Sequence, residues 1–216
     1  MRVKICGITQ ADQAVAIAHL GATALGFICV PASPRYIIPE RIGDIGERLK
    51  DTIQRPLETV GVFADADFKT LETTVKTGQL SSIQLHGNES PEQCRQLRQQ
   101  LPGIAIIKAL RIRVAEDLAQ AAHFEPEVDG LLLDAYHPQL LGGTGKTLDW
   151  ASLQSFRPAC AWLLAGGLTP DNVVNALTQL SPDGIDLSSG VEISPGIKDL
   201  DQVEQLFERL QPWLEK

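Results

Sequence analysis

Eight short apolar runs recur along this chain, each followed by a stretch with helical spacing. They span Val3–Cys6, Ala24–Cys29, Thr59–Phe63, Ser82–Leu85, Ile104–Ala109, Gly130–Asp134, Trp162–Ala165 and Gly184–Leu187. Continuous apolar character, in place of strict alternation, predicts strands covered on both faces, as in a parallel sheet. Helix starts are readable between the runs. Ser90-Pro91-Glu92 puts Ser at an N-cap and Pro at the first helical position, and Thr169-Pro170-Asp171 repeats the device. Pro39-Glu40 opens another helix, and Asp199–Leu214 forms the last. Alternating βα units build a parallel sheet, and eight of them most simply close into a (β/α)8 TIM barrel, a single domain over residues 1–216. An open doubly wound sheet is the alternative. It uses fewer strands and wants a phosphate loop after the first one.

Composition narrows the partners. With 216 residues, 44% of them hydrophobic, the chain can bury one sizeable core and is no disordered tail. Lys plus Arg total 19 against 27 Asp plus Glu, a net charge of −8, and no basic patch offsets it, so no nucleic-acid partner is expected. No apolar run approaches the roughly 20 residues of a spanning helix. Met1-Arg2-Val3-Lys4 leads into a strand-like segment instead of a signal peptide, so no membrane is expected either. Cys6, Cys29, Cys94 and Cys160 lie far apart with no CxxC pair, which fits neither a metal site nor a disulfide framework. Free thiols and a cytoplasmic location follow as expectations. A closed barrel leaves no sheet edge to pair, so a monomer is expected.

On this fold, chemistry sits at the C-terminal ends of strands and in the loops that follow. Two glycine-rich stretches follow the last two strands: Gly166-Gly167 and Ser188-Ser189-Gly190. Backbone N–H groups approach an anion closely there, and the helix starting near Pro170 points its positive end the same way. Tight turns would explain either stretch alone; both together favour a phosphate. A third loop, Gly142-Gly143-Thr144-Gly145-Lys146-Thr147, fails as a Walker A motif because Leu140 stands where its first glycine belongs. Gly143 and Gly145 suit a phosphosugar loop after strand six, with an ordinary flexible loop as the alternative. Cys6 ends strand one, where inert packing is the commoner role for cysteine. Asp134 ends strand six behind three leucines, a costly place for a carboxylate without work or a partner. Arg35 follows strand two and is either a solvated arginine or a carboxylate clamp. His86 ends strand four; His19 and His123 fall on helices, and His137 is undecided.

Taken together, Lys4-Ile5-Cys6-Gly7-Ile8-Thr9, Ser33-Pro34-Arg35, Gln84-Leu85-His86-Gly87, Leu132-Leu133-Asp134, Gly142–Gly145, Ala165–Leu168 and Asp186–Glu192 resemble the phosphoribosylanthranilate isomerase family. The likeness runs in order along essentially the whole chain. Leu187 and Asn88, where the family often has valine and aspartate, are conservative departures. The resemblance implies an enzyme of tryptophan biosynthesis that carries out an Amadori rearrangement of a small phosphosugar, without cofactor or metal. It assigns Cys6 as general base, Asp134 as general acid, Arg35 to the anthranilate carboxylate and the glycine loops to the phosphate, with His86 near the substrate.

A magnitude exposes a difficulty in those roles. With ordinary pKa values, roughly 3% of a thiol is ionised and about 0.1% of an aspartyl carboxyl is protonated at pH 7. Independent groups would be productive together in only about 4 molecules per 100,000. Burial should raise Asp134, and strand parity puts Lys4 on the same face as Cys6, where its ammonium could favour the thiolate. A polar filler of the barrel is the alternative role for Lys4. Three rivals stand beside the isomerase. The histidine-pathway isomerase has aspartate where Cys6 stands, an aldolase would need a lysine such as Lys108, and a silent phosphosugar-binding protein has no need of both Cys6 and Asp134.

Overall fold

The computed structural model describes residues 1–135 and 150–214. Its strands follow one another in chain order around a closed parallel barrel. They are β1 (Arg2–Cys6), β2 (Ala24–Ile28), β3 (Glu58–Phe63), β4 (Ser82–Leu85), β5 (Ala105–Ile112), β6 (Gly130–Ala135), β7 (Ala161–Leu164) and β8 (Gly184–Leu187). Pairing of β1 with β8 closes the ring and sets Lys4 opposite Asp186. Closure, and not an open sheet, is therefore what the eight repeats build.

Because successive side chains alternate across a strand, the barrel has two apolar layers. Ala24, Val60, Ile107, Ala109, Leu132, Leu163 and Ala165 fill its interior. Residues of opposite parity, such as Val3, Ile5, Leu25, Phe27, Leu131 and Leu133, pack outward against the helices. This explains the continuous apolar runs, since both faces are covered.

The helices are α1 (Ala11–Leu20), α2 (Pro39–Thr52), α3 (Phe68–Thr77), α4 (Pro91–Gln100), α5 (Ala121–Phe124), α6 (Trp150–Leu153), α7 (Val173–Gln179) and α8 (Leu200–Leu214). Ser90 and Gln93 form the expected cap of α4, each side chain bonding the other's backbone N–H. Pro39 opens α2, and Asp199 caps α8 by accepting from Gln202 N. Two units differ from the expected pattern. The fifth has a single α-helical turn flanked by 3₁₀ segments. Its strand runs on to Ile112, past the expected end, because Arg111 interrupts the apolar run without interrupting the ladder. After β8 comes a small antiparallel hairpin, β9 (Glu192–Ser194) with β10 (Ile197–Lys198). No described helix is long and apolar enough to cross a membrane.

Candidate active site

At the C-terminal mouth of the barrel one cavity is lined by Cys6, Arg35, His86, Asp134, Gly166, Gly167 and Ser188–Gly190, with Gln84 and Asp186 deeper in its wall. Nine of the expected site residues thus meet in one place. Gly143 and Gly145, with His137, lie outside the described residues.

Cys6 is buried at the end of β1. Its carbonyl accepts from Ser188 Oγ at 3.1 Å and from Lys198 Nζ. Lys4, two residues back and fully buried, makes a 2.9 Å ion pair with Asp186. Burial pushes the Cys6 thiol up from its ordinary value; Lys4 and Lys198 pull it down, while Asp186 pushes it further up. The expected influence of Lys4 therefore has the right sign but does not prevail, because Asp186 opposes it and desolvation outweighs it. Lys4 itself is pushed down by burial, but Asp186 and Cys6 more than reverse that and raise it.

Asp134 sits across the mouth, almost buried, with its Oδ2 3.2 Å from His86 Nε2. The contact is close but not aligned as a hydrogen bond. The other ring nitrogen of His86 lies 3.0 Å from Gln84 Nε2. His86 is held from behind as well, its carbonyl accepting from Arg111 Nη2 at 2.7 Å. Arg35 is no solvated surface residue. Its Nε bonds both Glu192 carboxylate oxygens at 3.0 Å and its Nη2 reaches Oε2 at 2.7 Å. The Nη1 edge has no hydrogen-bond partner among the described residues.

The rim formed by the loops after β7 and β8 presents backbone N–H groups to the cavity. Gly166 and Gly167 both have positive φ, +85° and +65°, a pair of conformations that only glycine adopts readily. Their N–H groups find no acceptor among the described residues. Gly190 is pressed against the residue that follows them: a Cβ there would stand 1.9 Å from the Leu168 carbonyl oxygen, so the two glycine stretches lie side by side. The helix beside them begins later than expected. Thr169 does not cap it; instead the Asn172 side chain accepts from Thr169 N at 2.9 Å and donates to Gly167 O at 2.8 Å. A turn occupies Pro170–Asn172, and α7 starts at Val173.

Lys108 points away from the mouth, since Ile107 and Ala109 fill the interior face of β5. It is spent on Glu89 Oε2 at 2.8 Å and on the Leu85 and Gly87 carbonyls. The aldolase reading loses its lysine. Among the described residues no cluster of ligands could hold a metal ion. Sequence reasoning quoted Gln84 and Glu192 within motifs without giving either a role, and did not name Lys198. A glutamine on an apolar strand was the signal for the first; the other two stand in a hairpin with no repeating pattern.

A thiol and a carboxyl across one cavity, with a glycine-rich rim of backbone N–H groups beside them, suit proton transfers on a small anionic substrate, as in the barrel isomerases of phosphosugars. Residues 3–209 match the family model described as N-(5'phosphoribosyl)anthranilate (PRA) isomerase. The chain belongs to that family. It is 59% identical over 210 residues to the N-(5'-phosphoribosyl)anthranilate isomerase of Trichormus variabilis, covering 97% of this chain and 98% of that one. The Thermus thermophilus phosphoribosyl anthranilate isomerase structure superposes with a TM-score of 0.86 at 34% identity, covering 99% of this chain and all of that one (100%). Another phosphoribosyl anthranilate isomerase structure, in complex with reduced 1-(o-carboxyphenylamino)-1-deoxyribulose 5-phosphate, has a TM-score of 0.81 at 32% identity and covers 98% and 99% of the two chains.

Proposed function

We propose that this mouth converts N-(5-phospho-β-D-ribosyl)anthranilate to 1-(2-carboxyphenylamino)-1-deoxy-D-ribulose 5-phosphate, with Cys6 as general base and Asp134 as general acid. The isomerisation, a step of tryptophan biosynthesis, is the activity of the family to which the chain belongs. The observation that carries the assignment of roles is that Cys6 and Asp134 line one cavity with the glycine loops after β7 and β8 between their strands.

Asp134, when protonated, donates its proton to the furanose ring oxygen and the ring opens to a Schiff base. That cation acidifies the C2′ hydrogen, which the Cys6 thiolate removes to give an enolamine. Tautomerisation yields the ketone. Atoms and electrons are conserved throughout, so the reaction draws on no external oxidant, reductant or water. Gly166, Gly167, Ser188, Ser189 and Gly190 would hold the phosphate through backbone N–H groups and hydroxyls. The Nη1 edge of Arg35 faces an anthranilate carboxylate in this reading, its other edge being held by Glu192. His86 stands against the acid and is assigned to orient it.

The test is turnover of freshly prepared substrate, followed by chromatography, for wild type, Cys6→Ala and Asp134→Asn. Enzyme-free controls are needed because an aldosylamine hydrolyses unaided. Losses of about 10²–10⁴-fold in both variants are expected. An active Cys6→Ala would reassign the base. We also propose a monomer, because the closed barrel leaves no strand edge to pair; light scattering showing a dimer would refute it.

A further inference from the structure

Lys198 is an ammonium buried under the mouth with all three of its protons directed at named acceptors. It donates to the Cys6 carbonyl, to the Ser188 carbonyl at 3.2 Å and to Glu192 Oε1 at 2.7 Å. Its side chain is fully buried. The first two acceptors are the last residue of β1 and the first residue after β8. A single cation therefore ties the backbone that carries the thiol to the backbone that opens the anion cradle.

From this geometry we infer that Lys198 is a positioning residue for the isomerisation, fixing Cys6 against the phosphate-binding loop. The inference rests on the reading of Cys6 as the base. Cys6 faces Lys4 and Asp186 on β1 and β8, Lys198 with Glu192 and Arg35 on the hairpin side, and Cys29 at the end of β2, with Asp134 and His86 across the cavity. Lys4 and Asp186 cancel as a pair. Lys198, Arg35 and Glu192 do not: two cations share one carboxylate. The surplus positive charge beside the thiol thus comes from Lys198 and Arg35 sharing the one carboxylate of Glu192.

Loss of the ammonium leaves the hairpin in place. Gln13 bonds both backbone groups of Lys198, donating to its carbonyl at 2.8 Å and accepting from its N–H at 2.9 Å. Thr9 Oγ1 donates to the Gly196 carbonyl at 2.6 Å. Lys198→Met keeps these anchors and the length of the side chain. What it removes is the tie between the Cys6 and Ser188 carbonyls, leaving the Ser188 hydroxyl as the remaining side-chain donor given to the Cys6 carbonyl among the described residues.

The experiment compares wild type, Lys198→Met, the charge-balanced double variant Lys198→Met/Glu192→Gln, and Cys6→Ala. Each is measured for kcat and KM with the phosphoribosyl substrate. All but Cys6→Ala are also measured for the pH dependence of Cys6 alkylation by iodoacetamide, read by mass spectrometry at that cysteine. Lys198→Met is expected to lose kcat by about a hundredfold, the usual result of a displacement near 1 Å at a reacting group. Its alkylation midpoint should rise by about one pH unit, because a neighbouring cation that favoured the thiolate is gone. The double variant should bring the midpoint back towards wild type while kcat stays low, since charge is rebalanced but the tie is not remade. A Lys198→Met enzyme with wild-type kcat and midpoint overturns the inference, and so does a double variant whose kcat recovers, which would reduce Lys198 to its charge. An active Cys6→Ala fails the reading of the base itself, whatever Lys198→Met does.

Discussion

Gly26 lies on β2 directly opposite Cys6. A Cβ at Gly26 would stand 2.6 Å from the Cys6 Sγ, 3.0 Å from its Cα and 3.1 Å from its Cβ. Non-bonded carbon contacts settle at about 3.5–4.0 Å, so the thiol must retreat by about 1 Å and the two strands must spread by a few tenths. Cysteine has one side-chain torsion, and Sγ can escape only by turning away from its present position. Displacement of that size costs about a hundredfold in rate, and overpacking of this kind costs about 1–3 kcal/mol. Gly26→Ala is therefore expected to lower kcat about a hundredfold while KM changes by less than about threefold, because the nearest atoms to the added methyl all belong to Cys6 and none to Arg35 or the glycine rim. Steady-state turnover and urea unfolding measure the two effects. In a Cys6→Ala background the sulfur is gone, and at least half of the stability loss should vanish with it. A Gly26→Ala enzyme with wild-type kcat, or a stability loss that is the same with and without the sulfur, would refute the claim that this glycine makes room for the thiol.

Two further perturbations act through buried charge. Burial pushes the Glu192 carboxyl up, but Arg35 and Lys198 together outweigh it and hold the group below the usual carboxylate range. A depressed carboxylate stabilises the fold fully above its unfolded pKa of about 4.3 and loses that contribution as pH falls through its folded value. The difference in urea midpoint between wild type and Glu192→Gln should hold steady near neutrality and shrink below about pH 4.3; a difference that widens on acidification would contradict this sign. Lys108→Met strands the buried Glu89 carboxylate and two carbonyls, and should cost about 3–5 kcal/mol in urea unfolding. A loss below about 1 kcal/mol would mean that the pair contributes little to the fold.

The barrel was legible because both faces of its strands are covered, which writes the same apolar run eight times. Element ends were less so. The fifth strand was expected to end at Ala109, yet the backbone of Arg111 still pairs with Asp134 while its side chain reaches the His86 carbonyl. Thr169-Pro170-Asp171 looked like a capped helix start, but Asn172 takes the capping partner and defers the helix to Val173. The site followed the same division. Cys6, Asp134, His86 and the glycine rims could be placed at one mouth because the strand ends of this fold converge there. Lys198 could not, since its side chain reaches the mouth from a hairpin that no periodicity announces. Gly26 was hidden inside an apolar run, where a glycine in a strand interior is the signal for close approach. Charge balance was the hardest to foresee. Lys4 was visible beside Cys6, whereas its cancellation by Asp186 depends on a pairing between the first and last strands.

That pairing makes the order of assembly matter to the chemistry. Cys6 and Ser188 are 182 positions apart along the chain and share a hydrogen bond. During synthesis the thiol therefore rides on an unpaired edge strand until almost the entire chain has emerged. Contacts across so long a loop form late, because the entropy of bringing the ends together must be overcome first. A chain halted before β8 would possess seven of the eight barrel strands but neither the Ser188–Gly190 half of the glycine rim nor the partner of Lys4. Recovery of catalysis during refolding should then lag behind recovery of helical signal, marking the moment when the ring closes.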